Sequence, residues 1–367
     1  MEKFDFLNLN SNDEISKMKY DDIISFLNLL QDFKLSLRDN LGLDKNITFG
    51  LEIEFENISV LYTTLCEKFN NISLLPSMFY SIENLQKLKE YKKKNKLDSD
   101  AVFSVYEKYK DILPSEVFYW SVEKDLSLNN GAEITSPILI DDITYWKDLK
   151  KVCDFIKQYG EISEHSAGHI HFGTQILGQE KETWANFIKL WSVYENIIYR
   201  FGFNEYLSKN PGIRYCNPAS DILSKYYRSL VEDYDLEQIL NFLKTDRRYA
   251  VNFQNVSLTD KPIPFGTLEI RNPNGTLDPV IWQNNVNFFA KLLMYAKSNK
   301  FDMDTILKRE KKLYDFQNYN YVFTEQAIEL ADMIFDNNLD KLYFLRQYIK
   351  DGETSLLPMK KCKKFTI

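Results

Sequence analysis

The chain has 367 residues, 44% of them hydrophobic, and a formal net charge of −7 from 46 basic and 53 acidic residues. That balance excludes a general nucleic-acid binder, which needs a basic face, while the length and apolar content suffice for a large buried core. The opening MEKFDFLNLNSNDE is acidic with no apolar stretch, and no apolar run approaches the roughly 20 residues that cross a bilayer, so neither a secretory signal nor a membrane helix is expected.

Taken in chain order, residues 1–45 read as a helical extension, with Ile23, Ile24, Phe26, Leu27 and Leu30 at helical spacing between Asp21 and Leu37. A strand follows at Thr48–Glu56. Residues 83–96, ENLQKLKEYKKKNK, are highly charged with leucines three apart and predict a solvated, inserted helix. Strand signals return at Phe118–Val122 and Ala132–Ser136, and an amphipathic helix over 144–159 carries Trp146, Leu149, Val152, Phe155 and Ile156. The next strand is Gly168–Gly173. A long helix near Lys181–Arg200 places Trp184, Phe187, Ile188, Trp191, Tyr194 and Ile198 on a core-facing stripe. Strands are then expected at Tyr249–Asn255 and Thr267–Asn272, a helix at Pro279–Lys297, and mostly helix beyond. The class is α+β: one domain over residues 46–300 between a helical extension at 1–45 and a helical segment at 301–367. Cys66, Cys153, Cys216 and Cys362 share no CxxC spacing. That sets aside a zinc knuckle or disulfide framework and fits a reducing cytoplasm.

Successive strand side chains point to opposite faces. In FGLEIEFE this puts Glu52, Glu54 and Glu56 on one face and Phe49, Leu51, Ile53 and Phe55 on the other. In GAEITSP, Glu133 and Thr135 share a face; in GHIHFG, His169 and His171; in TLEIRN, Glu269 and Arg271. A solvent-facing antiparallel strand shows the same alternation, so no one strand decides the matter. The histidines say more: the chain has only three, all between 165 and 171. Clustered carboxylates repel unless a cation neutralises them, and a carboxylate-rich site with one imidazole suits Mg²⁺ or Mn²⁺. No Walker or GxGxxG motif is present, so any nucleotide must bind without a glycine-rich phosphate loop.

The segments GLEIEF, WSVEKDLSLNNGAEITSPIL, SAGHIHFG, RYAVNF and LEIRNPNGTLDP, in this order, resemble the amidoligase family of carboxylate–amine ligases across about residues 48–295. The resemblance implies a glutamine-synthetase-like catalytic domain: a curved, mostly antiparallel sheet with a polar concave face, helices on its other face, and extra helices at both termini. It implies Glu52, Glu54, Glu133, His169 and Glu269 as ligands of Mg²⁺ or Mn²⁺ and His171 near nucleotide phosphate. Arg271 would hold a carboxylate or phosphate. Arg248 and Asn252 match the RYxxN segment and by alternation share the site face, with Arg248 serving both catalysis and ATP; a one-residue slip would turn Arg247 inward instead. Where the family has Asp-Gly-Ser this chain has Asp125-Leu126-Ser127, so Asp125 carries over to the nucleotide site with an altered turn.

The implied reaction is ATP-dependent amide formation through an acyl phosphate, joining the carboxylate of a peptide or amino acid to an amine, with Glu54 or Glu56 taking the amine's proton. A glutamate–cysteine-ligase-like enzyme is an alternative in the same class. A metal-dependent hydrolase or a catalytically silent binding protein are alternatives outside it. No nucleic-acid or membrane partner is expected, and oligomeric state is not legible.

Overall fold

The computed structural model describes residues 35–77, 118–206, 216–224, 227, 233–244, 246–256, 266–309 and 323–349. The expected helix at 83–96, most of that at 21–37, and Cys362 lie outside these residues.

Six strands form one open antiparallel sheet: β1 (Phe49–Phe55), β2 (Ser121–Glu123), β3 (Ala132–Thr135), β4 (Gly168–Gly173), β5 (Val251–Asn252) and β6 (Thr267–Ile270), in the order β2-β3-β1-β4-β6-β5. The helices, in chain order, are α1 (Tyr62–Asn70), α2 (Ile143–Tyr159), α3 (Lys181–Gly202), α4 (Leu236–Leu243), α5 (Pro279–Lys297), α6 (Met303–Arg309), α7 (Thr324–Ile334) and α8 (Asn338–Ile349). The α+β class therefore holds.

The apolar side chains that alternation puts on one face, Phe49, Leu51, Ile53, Phe55, Ile134, Ile170, Phe172, Leu268 and Ile270, are all buried. Each contributes about 1.5–3 kcal/mol relative to exposure. Phe49 stacks on Trp146 of α2 with ring centroids 5.4 Å apart, and Trp191 of α3 stacks on Phe289 of α5. The helices thus cover the apolar face. Local chemistry starts them where it should: Asp142 accepts the Thr144 N–H at 2.9 Å before α2, and Asp278 followed by Pro279 begins α5. Tight backbone approach explains Gly168, where an added Cβ would stand 2.5 Å from the Trp282 ring.

Three expectations need correction. Residues 35–45 contain no helix. Their backbone donors go to a buried carboxylate instead: Asp141 accepts the N–H groups of Leu41 (2.7 Å) and Leu43 (3.1 Å) as well as the Trp146 indole (2.9 Å). The strand expected at 118–122 begins only at Ser121. The strand expected at 249–255 shrinks to Val251–Asn252. Asp246 accepts the Arg248 N–H at 2.9 Å and Asn252 Oδ1 accepts the Gln254 N–H at 3.0 Å, so side-chain turns bracket it. Helices α1 and α4 were not anticipated, although Asp235 and Gln238 form a capping box ahead of α4 that the residues spell out.

Candidate active site on the polar face

Strand pairing sets the second face. Glu52 of β1 stands opposite Thr135 on one side and His169 on the other. Glu54 opposes Glu133, which in turn opposes Glu123. His171 opposes Glu269, and Glu269 opposes Asn252. Directly opposed residues have Cβ atoms about 4.5–5.5 Å apart, so six strands deliver one continuous patch of carboxylates, imidazoles and an amide.

The contacts are close. His169 Nδ1 lies 2.7 Å from Glu52 Oε2 and 3.7 Å from Glu269 Oε1, while its Nε2 is 3.7 Å from Glu54 Oε1. His171 Nε2 approaches Glu52 Oε1 to 2.7 Å, an ion-pair distance reached too obliquely for a hydrogen bond, and its Nδ1 is 3.2 Å from the Thr267 hydroxyl. Asn252 Nδ2 donates to Glu269 Oε2 at 2.6 Å, and Arg271 donates to Glu269 Oε1. Glu54 Oε2 accepts the Ala167 N–H at 2.7 Å.

Electrostatics divides these carboxyls. At Glu52 burial pushes the pKa up, but the charges of His171 and His169 and the hydrogen bond with His169 outweigh it and hold the group well below its ordinary value. At Glu133 nothing opposes burial. The charges of Glu52, Glu54, Asp125 and Glu123 add to it, and the group is pushed up to about 9.

Three sets of donor atoms each converge within 4.8 Å: Glu52, Glu133 and His169; Glu52, His171 and Glu269; Glu54, Asp125 and Glu133. Opposite ligands of an octahedral Mg²⁺ stand about 4.2 Å apart, so each set could hold one ion. Carboxylates crowded around Glu133 and an oxygen-dominated donor set fit a hard divalent cation.

The fold thus brings together Glu52, Glu54, Glu133, His169, His171, Asn252, Glu269 and Arg271. Asp125 joins at the β2–β3 end, its Oδ1 also accepting the Ser127 N–H at 2.7 Å, with Leu126 exposed at the turn. Arg248 is not on this face by alternation, as expected earlier: it precedes β5, in the turn made by Asp246, and its guanidinium grips that carboxylate at 2.6–3.0 Å, largely in solvent. Glu56 is buried and accepts the Asn129 N–H at 2.6 Å, which ties down the loop before β3. His165 is exposed beside Glu164. Thr267, the hydroxyl against His171, was missed; its place two residues before Glu269 on one face was the available signal. A cleft of about 320 Å³ adjoins the patch, lined in part by Gly50, Glu52, Glu123, Glu133, Ser136 and His171.

These features define a class: an open antiparallel sheet whose polar face gathers acids and imidazoles into a potential cation site beside a small-molecule cleft. The chain belongs to the amidoligase family: the family model described as "putative amidoligase enzyme" matches residues 45–293, most of the chain and every site strand. The family is one of ligase-type enzymes. No curated protein matches the chain.

Proposed function

We propose that the protein is an ATP-dependent carboxylate–amine ligase with a glutamine-synthetase-like catalytic fold, acting in the cytoplasm on a peptide or amino acid and an amine. The observation that carries this is the register that sets Glu52 against His169, Glu54 against Glu133 and His171 against Glu269 in a member of this family. Among the described residues no helix is long and apolar enough to cross a membrane.

An oxygen of the substrate carboxylate attacks the γ-phosphorus of ATP and ADP leaves. The amine nitrogen then attacks the acyl carbon, phosphate departs, and a carboxylate takes the amine's proton. In the first step the protein's work is positioning and charge neutralisation. Mg²⁺ or Mn²⁺, held by Glu52, Glu54, Glu133, His169 and Glu269, supplies neutralisation of the phosphate charge when bound. Arg271, steered by Glu269, presents a planar fork to the carboxylate or transferred phosphoryl group. Asn252 holds Glu269 in place, His171 faces the phosphates, and Asp125 guards the outer end. Of the two candidate proton acceptors Glu56 is committed to the loop before β3, which leaves Glu54, acting through Oε1 when that oxygen is not on the cation. Arg248 has no part in this scheme, being held by Asp246.

The test is to incubate the protein with ATP, Mg²⁺ and pools of acidic peptides and amines. ADP release that requires both partners supports the ligase. Amide hydrolysis without ATP would instead identify a metal-dependent hydrolase.

A further inference from the structure

We propose that the cleft over Gly50 is the pocket for the amine component, that it selects a primary ammonium carried on a compact apolar skeleton, and that Gly50 sets the size it accepts. Assigning the occupant as a reactant rests on the ligase reading; the binding preference does not.

Size comes first. At about 320 Å³ the cleft lies at the small end of ligand pockets, which span roughly 300–1,000 Å³. It suits one amino-acid-sized component rather than a nucleotide together with its acceptor. Charge comes next. The ionisable residues lining it are Glu52, Glu123, Glu133 and His171, and Arg271 is not among them. Glu52 is paired with His171 and shares a candidate cation set with Glu133, whereas Arg271 is paired with Glu269 of β6, away from the cleft. That leaves Glu123 as the cleft's uncommitted charge, which favours an ammonium over a carboxylate there. Glu123 belongs to none of the three converging donor sets. Its Oε1 meets only hydroxyls, Ser121 at 3.3 Å and Thr135 at 3.5 Å, which leaves it able to accept a cation's hydrogen bonds. Pro137 and Ile138 add apolar wall.

Gly50 closes the argument. It shares the polar face with Glu52 and has no left-handed backbone to explain it. A Cβ there would sit 3.8 Å from both His171 Cβ and Ser136 Oγ, ordinary contact distances. The backbone does not demand glycine; the missing side chain leaves room in the cleft.

The full-length protein is titrated by calorimetry with methylamine, n-butylamine, benzylamine and benzoate, as wild type and as Gly50→Val, Gly50→Ala and Glu123→Gln, with melting curves as fold controls. Benzylamine and butylamine should bind wild type more tightly than methylamine, and benzoate should not bind. Gly50→Val should weaken benzylamine by about tenfold or more while sparing methylamine, and Glu123→Gln should weaken all three amines alike. If Gly50→Val does not fold, the same graded loss is expected in Gly50→Ala. Benzoate binding as well as benzylamine, or unchanged benzylamine affinity in a folded Gly50 variant, overturns the proposal. Amine binding without ATP turnover would sink the ligase reading and keep the cleft; ADP release with a Gly50-insensitive amine would do the reverse.

Discussion

Two regions of the molecule bury carboxylates in opposite ways. In the helical layer, Glu195 of α3 is wholly buried, and its Oε1 accepts the N–H groups of Ala219 (2.6 Å) and Ser220 (3.3 Å) and the Trp191 indole (2.8 Å). Burial raises its pKa to about 7, with those hydrogen bonds pulling the other way. On the sheet, Glu133 stands between Glu54 and Glu123, and burial reinforced by like charges takes it to about 9. The first carboxylate is satisfied by the chain itself and serves structure, pinning the start of the helical turn at 220–224 to α3. The second belongs to a set whose neutralisation must come from outside, as a proton or a cation, and that marks a site.

The sharpest break between the two would come from truncation. Glu52→Ala and Glu269→Ala should lower turnover on the order of 10²–10³-fold, about 2.7–4 kcal/mol, in a chain that still folds, with a lower melting temperature as well because Glu52 balances two histidines and Glu269 holds Arg271 and Asn252. Turnover retained in either folded variant would make the sheet cluster structural after all. Glu195 makes the opposite forecast. The folded protein holds its proton more tightly than the unfolded chain, so its contribution to stability is full below the ordinary value of 4.5 and is lost as pH rises through about 7. The loss is on the order of 3 kcal/mol. Melting curves at pH 5 and pH 8 should show this decline in wild type and a smaller one in Glu195→Gln, with turnover retained.

Cation addition tests the sheet from the other side. Mg²⁺ or Mn²⁺ at a hundred times its dissociation constant should stabilise wild type by about 2.7 kcal/mol and Glu133→Gln by less, read as a shift in melting temperature. Equal shifts would remove Glu133 from the ligand set. The smallest effect is expected at Arg248→Ala, whose guanidinium forms a solvent-exposed pair with Asp246. Turnover and melting temperature should both stay as in wild type; a large drop in turnover would return this arginine to the site.

Much of the site was legible because strand alternation is a local property. Glu52 and Glu54, His169 and His171, and Glu269 and Arg271 share faces whatever the rest of the chain does, and β4 and α5 have the bounds their residues suggest. The same rule failed at Arg248, since alternation holds only while the backbone is extended, and Asp246 bends it first. It failed also at residues 35–45, where Asp141, about a hundred residues away in sequence, takes the donors a helix would have used.

Sequence alone, then, determined the class of elements, the two-faced character of each site strand and membership of the amidoligase family. Tertiary structure decided strand order and register, and with them that Glu52 meets His169, that Glu133 is crowded into holding its proton, and that Gly50 floors a cleft. The physical reason is that register across a sheet is set by packing between segments far apart in the chain, and a slip of one residue would turn every carboxylate to the other face.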